Sequence, residues 1–231
     1  MPNNLNIYNV QKLTASKDEF LVYAKEIEKK FTGPSAYFYQ KVIEELRETN
    51  NYASLFDNIK FIEHIYATLT SWGMHRMDQN TRMSEFPDFK KNLIQNRESF
   101  IQLSKEKLRT ADLPQLKSII LNLFNSLKIM GRNDAPKFVA NSKVMHFLLP
   151  DLIPPMDKRQ IYHFFYGRIK DNGKKSQAYI KNENETFWEI LLQFRVIADK
   201  LDLKETDLKG PWDTSIPKII DNAIIGFNLS R

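Results

Sequence analysis

Apolar side chains recur three or four residues apart along most of the chain, and this spacing constrains the fold more than any other feature. The clearest run is Leu55, Ile59, Ile62, Tyr66 and Leu69. Side chains at this spacing lie on one face of an α-helix, which buries that face against the rest of the protein. We therefore predict an all-α, multi-helix globular fold. Residues 7–10 differ and are interpreted as a short strand or an extended arm.

Similar patterns predict further helices, and several of these have recognisable ends. They cover residues 16–31, 35–48, 88–108, 113–130, 157–168, 185–201 and 213–225. Ser16 and Glu19 form a capping box, in which the serine oxygen accepts a hydrogen bond from a backbone amide of the first turn. Gly73 and Gly131 follow apolar runs, and glycine readily ends a helix.

Residues 74–87 are the longest predicted loop in the first half of the chain, and nothing near residue 110 resembles a long flexible linker. The whole chain, residues 1–231, is therefore predicted to be a single α-helical domain. Two helical subdomains packed around a cleft, with the division near residue 110, are the alternative. Both arrangements bury enough apolar surface for a stable core at this length.

The composition excludes several classes of protein and site. The chain has no cysteine, which rules out disulfides, thiolate catalysis and cysteine zinc sites. Its seven glycines form neither a dinucleotide-binding nor a phosphate-binding loop, and no Gly-x-Ser-x-Gly elbow is present. The four histidines are dispersed rather than paired on one helical face. We therefore expect neither a cofactor nor a metal ion.

Charge and hydropathy indicate where the chain acts and what it binds. Residues 1–6 lack the basic and apolar regions of a secretory signal, and no apolar run approaches the roughly 20 residues of a membrane span. We expect a soluble, cytoplasmic protein that makes no membrane contact. The net charge of +6 and the isoelectric point near 9.3 favour a polyanionic partner, with DNA or another nucleic acid first.

Residues 141–157 carry the most informative pattern for function. Lys143 begins an apolar helical run, and Asp157 follows a double-proline turn and begins the next helical run. A lysine amine and a carboxylate at a helix N-terminus can together attack or stabilise an electron-poor sugar carbon. Each residue also has an ordinary structural interpretation. Asp157 can be a helix N-cap with no catalytic role, which stabilises the helix by about 1 kcal/mol. Lys143 can be a solvated surface residue.

Over residues 127–168 the chain resembles the helix-hairpin-helix superfamily of DNA glycosylases, most closely the 8-oxoguanine glycosylases and their archaeal relatives. Lys143 falls where that family has its catalytic lysine, and Pro155-Met156-Asp157 matches the family's Pro-Val-Asp element. The sequence departs from the family in two respects. Its hairpin has the single glycine Gly131 where the family has Leu-Pro-Gly-x-Gly, and the separation of the lysine and the aspartate is shorter.

The resemblance implies a DNA N-glycosylase that removes a damaged or modified base. Asp157 would stabilise positive charge on the sugar, and Lys143 would attack the sugar carbon if the enzyme also has lyase activity. The expected DNA-binding residues are Arg132, Lys137, Lys158, Arg159, Arg168, Lys174 and Lys175. The expected walls of the base pocket are Trp72, Phe164, Phe165 and Trp188.

Two further functions fit the same sequence. The first is a non-catalytic nucleic-acid-binding protein on a glycosylase-like helical scaffold, which would show salt-sensitive DNA binding without base release. The second is a helical scaffold for a protein partner, which would have no DNA affinity near physiological salt. The sequence leaves open which base is removed, whether duplex or single-stranded DNA is bound, and the oligomeric state.

Overall fold

Helices account for nearly all regular structure in a computed structural model, which describes residues 5–29, 33–74, 82–132, 134–167, 180 and 182–230. The α-helices are α1 (Ile7–Leu13), α2 (Lys17–Glu26), α3 (Pro34–Glu48), α4 (Ile59–Leu69), α5 (Phe86–Gln95), α6 (Arg97–Leu103), α7 (Leu113–Ser126), α8 (Phe138–Leu148), α9 (His163–Tyr166), α10 (Glu183–Lys200) and α11 (Ile216–Leu229). Single 3₁₀ turns lie at Ile27–Lys29, Tyr52–Phe56 and Glu205–Asp207, and π turns at Thr70–Met74 and Lys158–Tyr162. The all-α prediction is confirmed.

The last helix, α11, is buried along most of its length. Ser215 caps its N-terminus by accepting a hydrogen bond from the Lys218 amide at 3.2 Å. The helix packs most extensively against α2, and Gly226 permits the close approach. A Cβ atom at this position would lie 1.9 Å from the carbonyl oxygen of Tyr23. Since every other side chain is larger than hydrogen, only glycine fits here without moving a helix.

A second group of helices, α7, α8 and α10, packs around paired aromatic rings. Phe124 and Phe187 stack with their ring centroids 4.4 Å apart. The buried side chain of Asn141 on α8 donates hydrogen bonds to the carbonyl oxygens of Phe124 at 2.7 Å and Leu127 at 2.9 Å. These two bonds satisfy carbonyl groups at the end of α7 and fix α8 beside it.

Some predicted helix ends are confirmed. Ser16 accepts a hydrogen bond from the Glu19 amide at 3.4 Å, as the capping box predicts. Gly73 has φ of +85°, the predicted left-handed conformation, but it lies within the π turn Thr70–Met74, since α4 itself ends at Leu69.

Other sequence predictions are wrong at the level of single elements. Residues 7–10 belong to helix α1, whose first turn is capped by the Asn6 side chain, and not to a strand or an arm. The helix predicted over 88–108 is two helices that meet at Asn96. The helix predicted over 113–130 ends at Ser126, because Leu127 is already extended and Gly131 has no part in ending it.

No helix within the described residues combines the length and the apolar character needed to cross a membrane.

Candidate functional site

Two side chains of α8, the helix that contains Lys143, form hydrogen bonds with the turn that precedes Asp157. The Ser142 hydroxyl accepts a hydrogen bond from the Met156 amide at 3.2 Å. The His146 Nδ1 donates to the carbonyl oxygen of Ile153 at 2.8 Å, which fixes the neutral tautomer with Nε2 as the acceptor. Because both bonds are buried, the turn has one position relative to the helix. The prolines of the turn restrict it further, so Asp157 is held in a defined place beside α8.

Lys143 lies mostly buried against an indole ring. Its Nζ lies 4.8 Å from the ring centroid of Trp72. Among the described residues, Lys143 makes neither a hydrogen bond nor an ion pair with any side chain. Burial lowers the pKa of the Lys143 amine, and the carboxylates of Asp157 and Asp221 oppose that effect only in part. A buried lysine of this kind is more readily neutral, and therefore nucleophilic, than one in water.

Asp157 is the N-cap of the π turn Lys158–Tyr162. Its Oδ1 accepts a hydrogen bond from the Gln160 amide at 2.6 Å. Its second oxygen, Oδ2, accepts no hydrogen bond within the described part of the chain. Asn228 on α11 donates to both oxygens of Gln160, at 3.2 and 3.0 Å, which ties this turn to the last helix. One carboxylate oxygen is therefore structural, and the other is available to a ligand.

Helix α11 brings a second lysine and a second aspartate to the same place. Lys218 and Asp221 are 3% and 5% exposed, and their side chains form an ion pair of 2.7 Å. The electrostatic influence of Asp157 and Lys143 reaches Asp221, whose pKa is raised chiefly by burial and lowered in part by Lys218. We call Lys143, Asp157, Lys218 and Asp221 the charged cluster.

Four aromatic side chains form a wall beside the charged cluster. This aromatic wall comprises Tyr39, Trp72, Phe147 and Trp212. The ring of Tyr39 lies 5.9 Å from Trp72, 5.9 Å from Phe147 and 6.1 Å from Trp212 between centroids. The Tyr39 hydroxyl donates to Nε2 of His146 at 3.0 Å and accepts from Thr214 at 2.6 Å. The wall is therefore connected to the same histidine that fastens the Asp157 turn.

Of the four side chains expected in a base pocket, only Trp72 lies at the charged cluster. The structure places Phe164 and Phe165 in the core, 1% and 0% exposed. Phe164 packs against Phe227 of α11, and Phe165 packs against Phe194 of α10. Trp188 is buried on α10 with the Lys117 amine 5.4 Å from its ring centroid. These three rings are parts of the packed interior and offer no open face to a base.

The expected DNA-binding residues that the structure describes do not lie together on a single surface. Arg132 is exposed and pairs with Asp134 through two hydrogen bonds of 2.8 and 2.6 Å. Lys137 donates to the Asn125 carbonyl oxygen at 3.1 Å. Lys158 and Arg159 lie on the turn that Asp157 caps, with Arg159 exposed. The remaining three, Arg168, Lys174 and Lys175, lie outside the described residues.

The segment between α7 and α8 holds a small cavity of about 190 Å³. It is lined by residues 127–130 together with Arg132, Lys137 and Asn141. The backbone amides at the start of α8 already donate hydrogen bonds within the protein. The carboxylate of Glu183 accepts hydrogen bonds from the amides of Lys137 at 2.9 Å and Phe138 at 3.1 Å. An acidic side chain of the protein thus occupies the place where a helix N-terminus would hold a phosphate.

The sequence pattern did not identify Lys218 or Asp221. The signal that marks them is a lysine and an aspartate three residues apart within the run 216–227, in which Asn222 is the only other polar residue. In a helix with buried side chains on every face, both charges must be buried as well. Within the described residues, no group of three His, Asp or Glu side chains could hold a metal ion. No family model, no curated protein and no solved structure matches this chain.

Proposed function

We propose that the chain is a DNA N-glycosylase with lyase activity, acting on a damaged or modified base, and that Asp157 and Lys143 carry the reaction. The observation that supports this most is their common position. The Lys143 amine is desolvated and within electrostatic reach of the Asp157 carboxylate, whose Oδ2 accepts no hydrogen bond within the described residues. The buried hydrogen bonds of Ser142 and His146 hold the turn that precedes Asp157 against the helix that carries Lys143. A carboxylate can stabilise the positive charge that develops on the sugar, and a neutral amine can serve as the nucleophile of a glycosylase with lyase activity.

The chemistry assigns each group a separate task. As the bond between the base and sugar C1′ lengthens, positive charge grows on the sugar, and the Asp157 carboxylate stabilises it. The lone pair of the Lys143 nitrogen forms a bond to C1′, while the base leaves with the bonding electrons and takes up a proton. The lysine nitrogen then loses a proton, and its lone pair forms a double bond to C1′ while the bond from C1′ to the ring oxygen opens. The ring oxygen takes up a proton, which leaves a protonated Schiff base. The exposed part of the aromatic wall, at Trp72, would stack against an extruded base.

Base release from DNA containing different modified bases tests this proposal. Abasic sites are scored by alkaline cleavage, for the wild type, Asp157→Asn and Lys143→Ala. We expect Asp157→Asn to lower the rate of base release at least about a hundredfold, as loss of a transition-state stabiliser does. Asparagine is as good an N-cap as aspartate, so the fold is retained.

Asp112→Asn is the matched control, because Asp112 also caps a helix, accepting from the Gln115 amide at 3.2 Å, but lies on α7. Its rate should equal that of the wild type. Equal rates for Asp157→Asn and the wild type would remove Asp157 from the mechanism.

One observation favours the non-catalytic alternative. Arg132 is paired with Asp134, and the first amides of α8 are occupied by Glu183. A hairpin whose donors are satisfied within the protein grips phosphate less well than one with free donors. DNA binding that weakens steeply with salt, together with no base release from any substrate, would select this alternative.

A further inference from the structure

Helix α11 carries a buried polar group among mostly apolar side chains. Lys218 donates hydrogen bonds to Asp221 at 2.7 Å and to Asn222 at 2.5 Å. Asn222 is 0% exposed and donates in turn to the Trp212 carbonyl oxygen and to Asp213, both at 3.0 Å. Desolvating such a pair is costly, and apolar side chains of the same size often stabilise a protein as well or better. The cost of burying these charges is consistent with a functional role for the charge itself.

The two buried lysines approach adjacent rings of the aromatic wall. The Lys218 nitrogen lies 6.0 Å from the ring centroid of Tyr39, and the Lys143 nitrogen lies 4.8 Å from that of Trp72. These two rings are themselves 5.9 Å apart. Both amines thus occupy one desolvated region, in which charges interact more strongly than in water.

The groups that act on Lys143 come from two neighbouring elements. Asp157 precedes the π turn Lys158–Tyr162, and Lys218 and Asp221 both belong to α11. Burial is the main cause that lowers the pKa of the Lys143 amine. Asp157 and Asp221 act in the opposite direction, and Lys218 adds a smaller lowering effect. Lys218 is the one positive neighbour among these groups. It is also the one whose position is fixed by two hydrogen bonds.

We propose that Lys218 is a positioning residue for the reaction proposed above: its ammonium, fixed by Asp221 and Asn222 beside the aromatic wall, disfavours a second positive charge and so adds to the effect of burial in favouring the neutral Lys143 amine. The purpose assigned to this charge rests on the proposed function. The electrostatic effect on Lys143 does not, and it can be measured without DNA.

Competitive labelling with acetic anhydride over a range of pH measures this effect in the full chain. Only the neutral amine reacts, so mass spectrometry of the Lys143 peptide gives the pH midpoint of that lysine. We expect Lys218→Met to raise the midpoint, because the repelling charge is lost. We expect Asp221→Asn to lower it, because an attracting carboxylate is lost. Lys218→Arg keeps the charge and should stay close to the wild type.

The opposite signs separate this role from a merely structural one. A variant that only loosened the core would let water reach Lys143 and would raise the midpoint in both cases. A rise in both variants, or no change in either, would overturn the proposal. Lys117→Met is the matched control, since Lys117 lies over Trp188 on α7 and its loss should leave the Lys143 midpoint unchanged. If circular dichroism shows Lys218→Met to be unfolded, Asp221→Asn and Lys218→Arg still decide the question.

Trapping with borohydride on DNA that contains an abasic site distinguishes this inference from the proposed function. Each pH unit by which the midpoint rises lowers the neutral fraction of Lys143, and hence trapping at neutral pH, about tenfold. Shifted midpoints with no adduct from any variant would refute the proposed function but support the electrostatic effect. Normal trapping with unshifted midpoints would refute the role of Lys218 and leave the proposed function intact.

Discussion

Protonation of His146 should cost the protein stability in mild acid. The imidazole is 0% exposed, donates through Nδ1 to Ile153 and accepts from Tyr39 through Nε2. A proton on Nε2 would remove the acceptor of the Tyr39 hydroxyl hydrogen and would place a positive charge in the core. Burial, the main cause, lowers the pKa of His146 from its ordinary value of 6.5 to about 3.

The direction and size of the effect follow from linkage. Between pH 6.5 and about 3 the unfolded chain binds the proton and the folded chain does not, so stability is complete above this window and is lost as pH falls through it. The loss amounts to about 2 kcal/mol between pH 7 and pH 5, and to on the order of 5 kcal/mol at the acid limit.

Urea unfolding at pH 7 and pH 5 measures this loss in the wild type and in His146→Gln. Glutamine can also donate and accept hydrogen bonds but does not titrate, so the difference between the two proteins isolates the histidine from the acidic groups of the chain. We expect the wild type to lose about 2 kcal/mol more than the variant over this interval. An equal loss in both proteins would refute the assignment of a buried, neutral His146.

Two further predictions concern packing and the fastening of the turn. Gly226→Ala should lower the free energy of unfolding by about 1–3 kcal/mol or more, because the new Cβ would meet the Tyr23 carbonyl oxygen at 1.9 Å. Thermal unfolding measures this, with Gly131→Ala as the control, since its nearest contact would be 3.4 Å; equal losses in both would contradict the packing of α11 on α2. Ser142→Ala leaves the Met156 amide without its acceptor and should cost about 1–3 kcal/mol. It should also slow base release beyond the loss of folded protein, and a rate per folded molecule equal to the wild type would show that this bond does not hold the site.

The helices were predictable because their signals are local. Ser16 caps the start of α2 and Gly73 adopts the left-handed conformation in the π turn that follows α4, since both features depend on a few neighbouring residues. The wrong predictions concern segments whose secondary structure depends on contacts with distant residues or on weak local signals. Residues 7–10 have the apolar, β-branched character of a strand, but the Asn6 cap and packing against α9 make them helical.

The candidate site was only partly predictable from the sequence. Lys143 and Asp157 are near in the chain, and the apolar run between them indicated that they share one helix and turn. Lys218 and Asp221 belong to a helix more than 50 residues later, and only the burial of α11 on all sides brings them to the cluster. Phe164 was expected in the base pocket, but it lies in the core, where it packs against Phe227.

Borohydride trapping on duplex DNA with a single abasic site is the most direct test of Lys143 as the nucleophile, because it does not require knowing which base is removed. The amine condenses with the C1′ aldehyde, water leaves, and reduction of the resulting imine fixes the enzyme to the DNA. We expect a covalent adduct that mass spectrometry places on Lys143 and that Lys143→Ala abolishes. An adduct on a different lysine, or no adduct from the folded wild type, would contradict it.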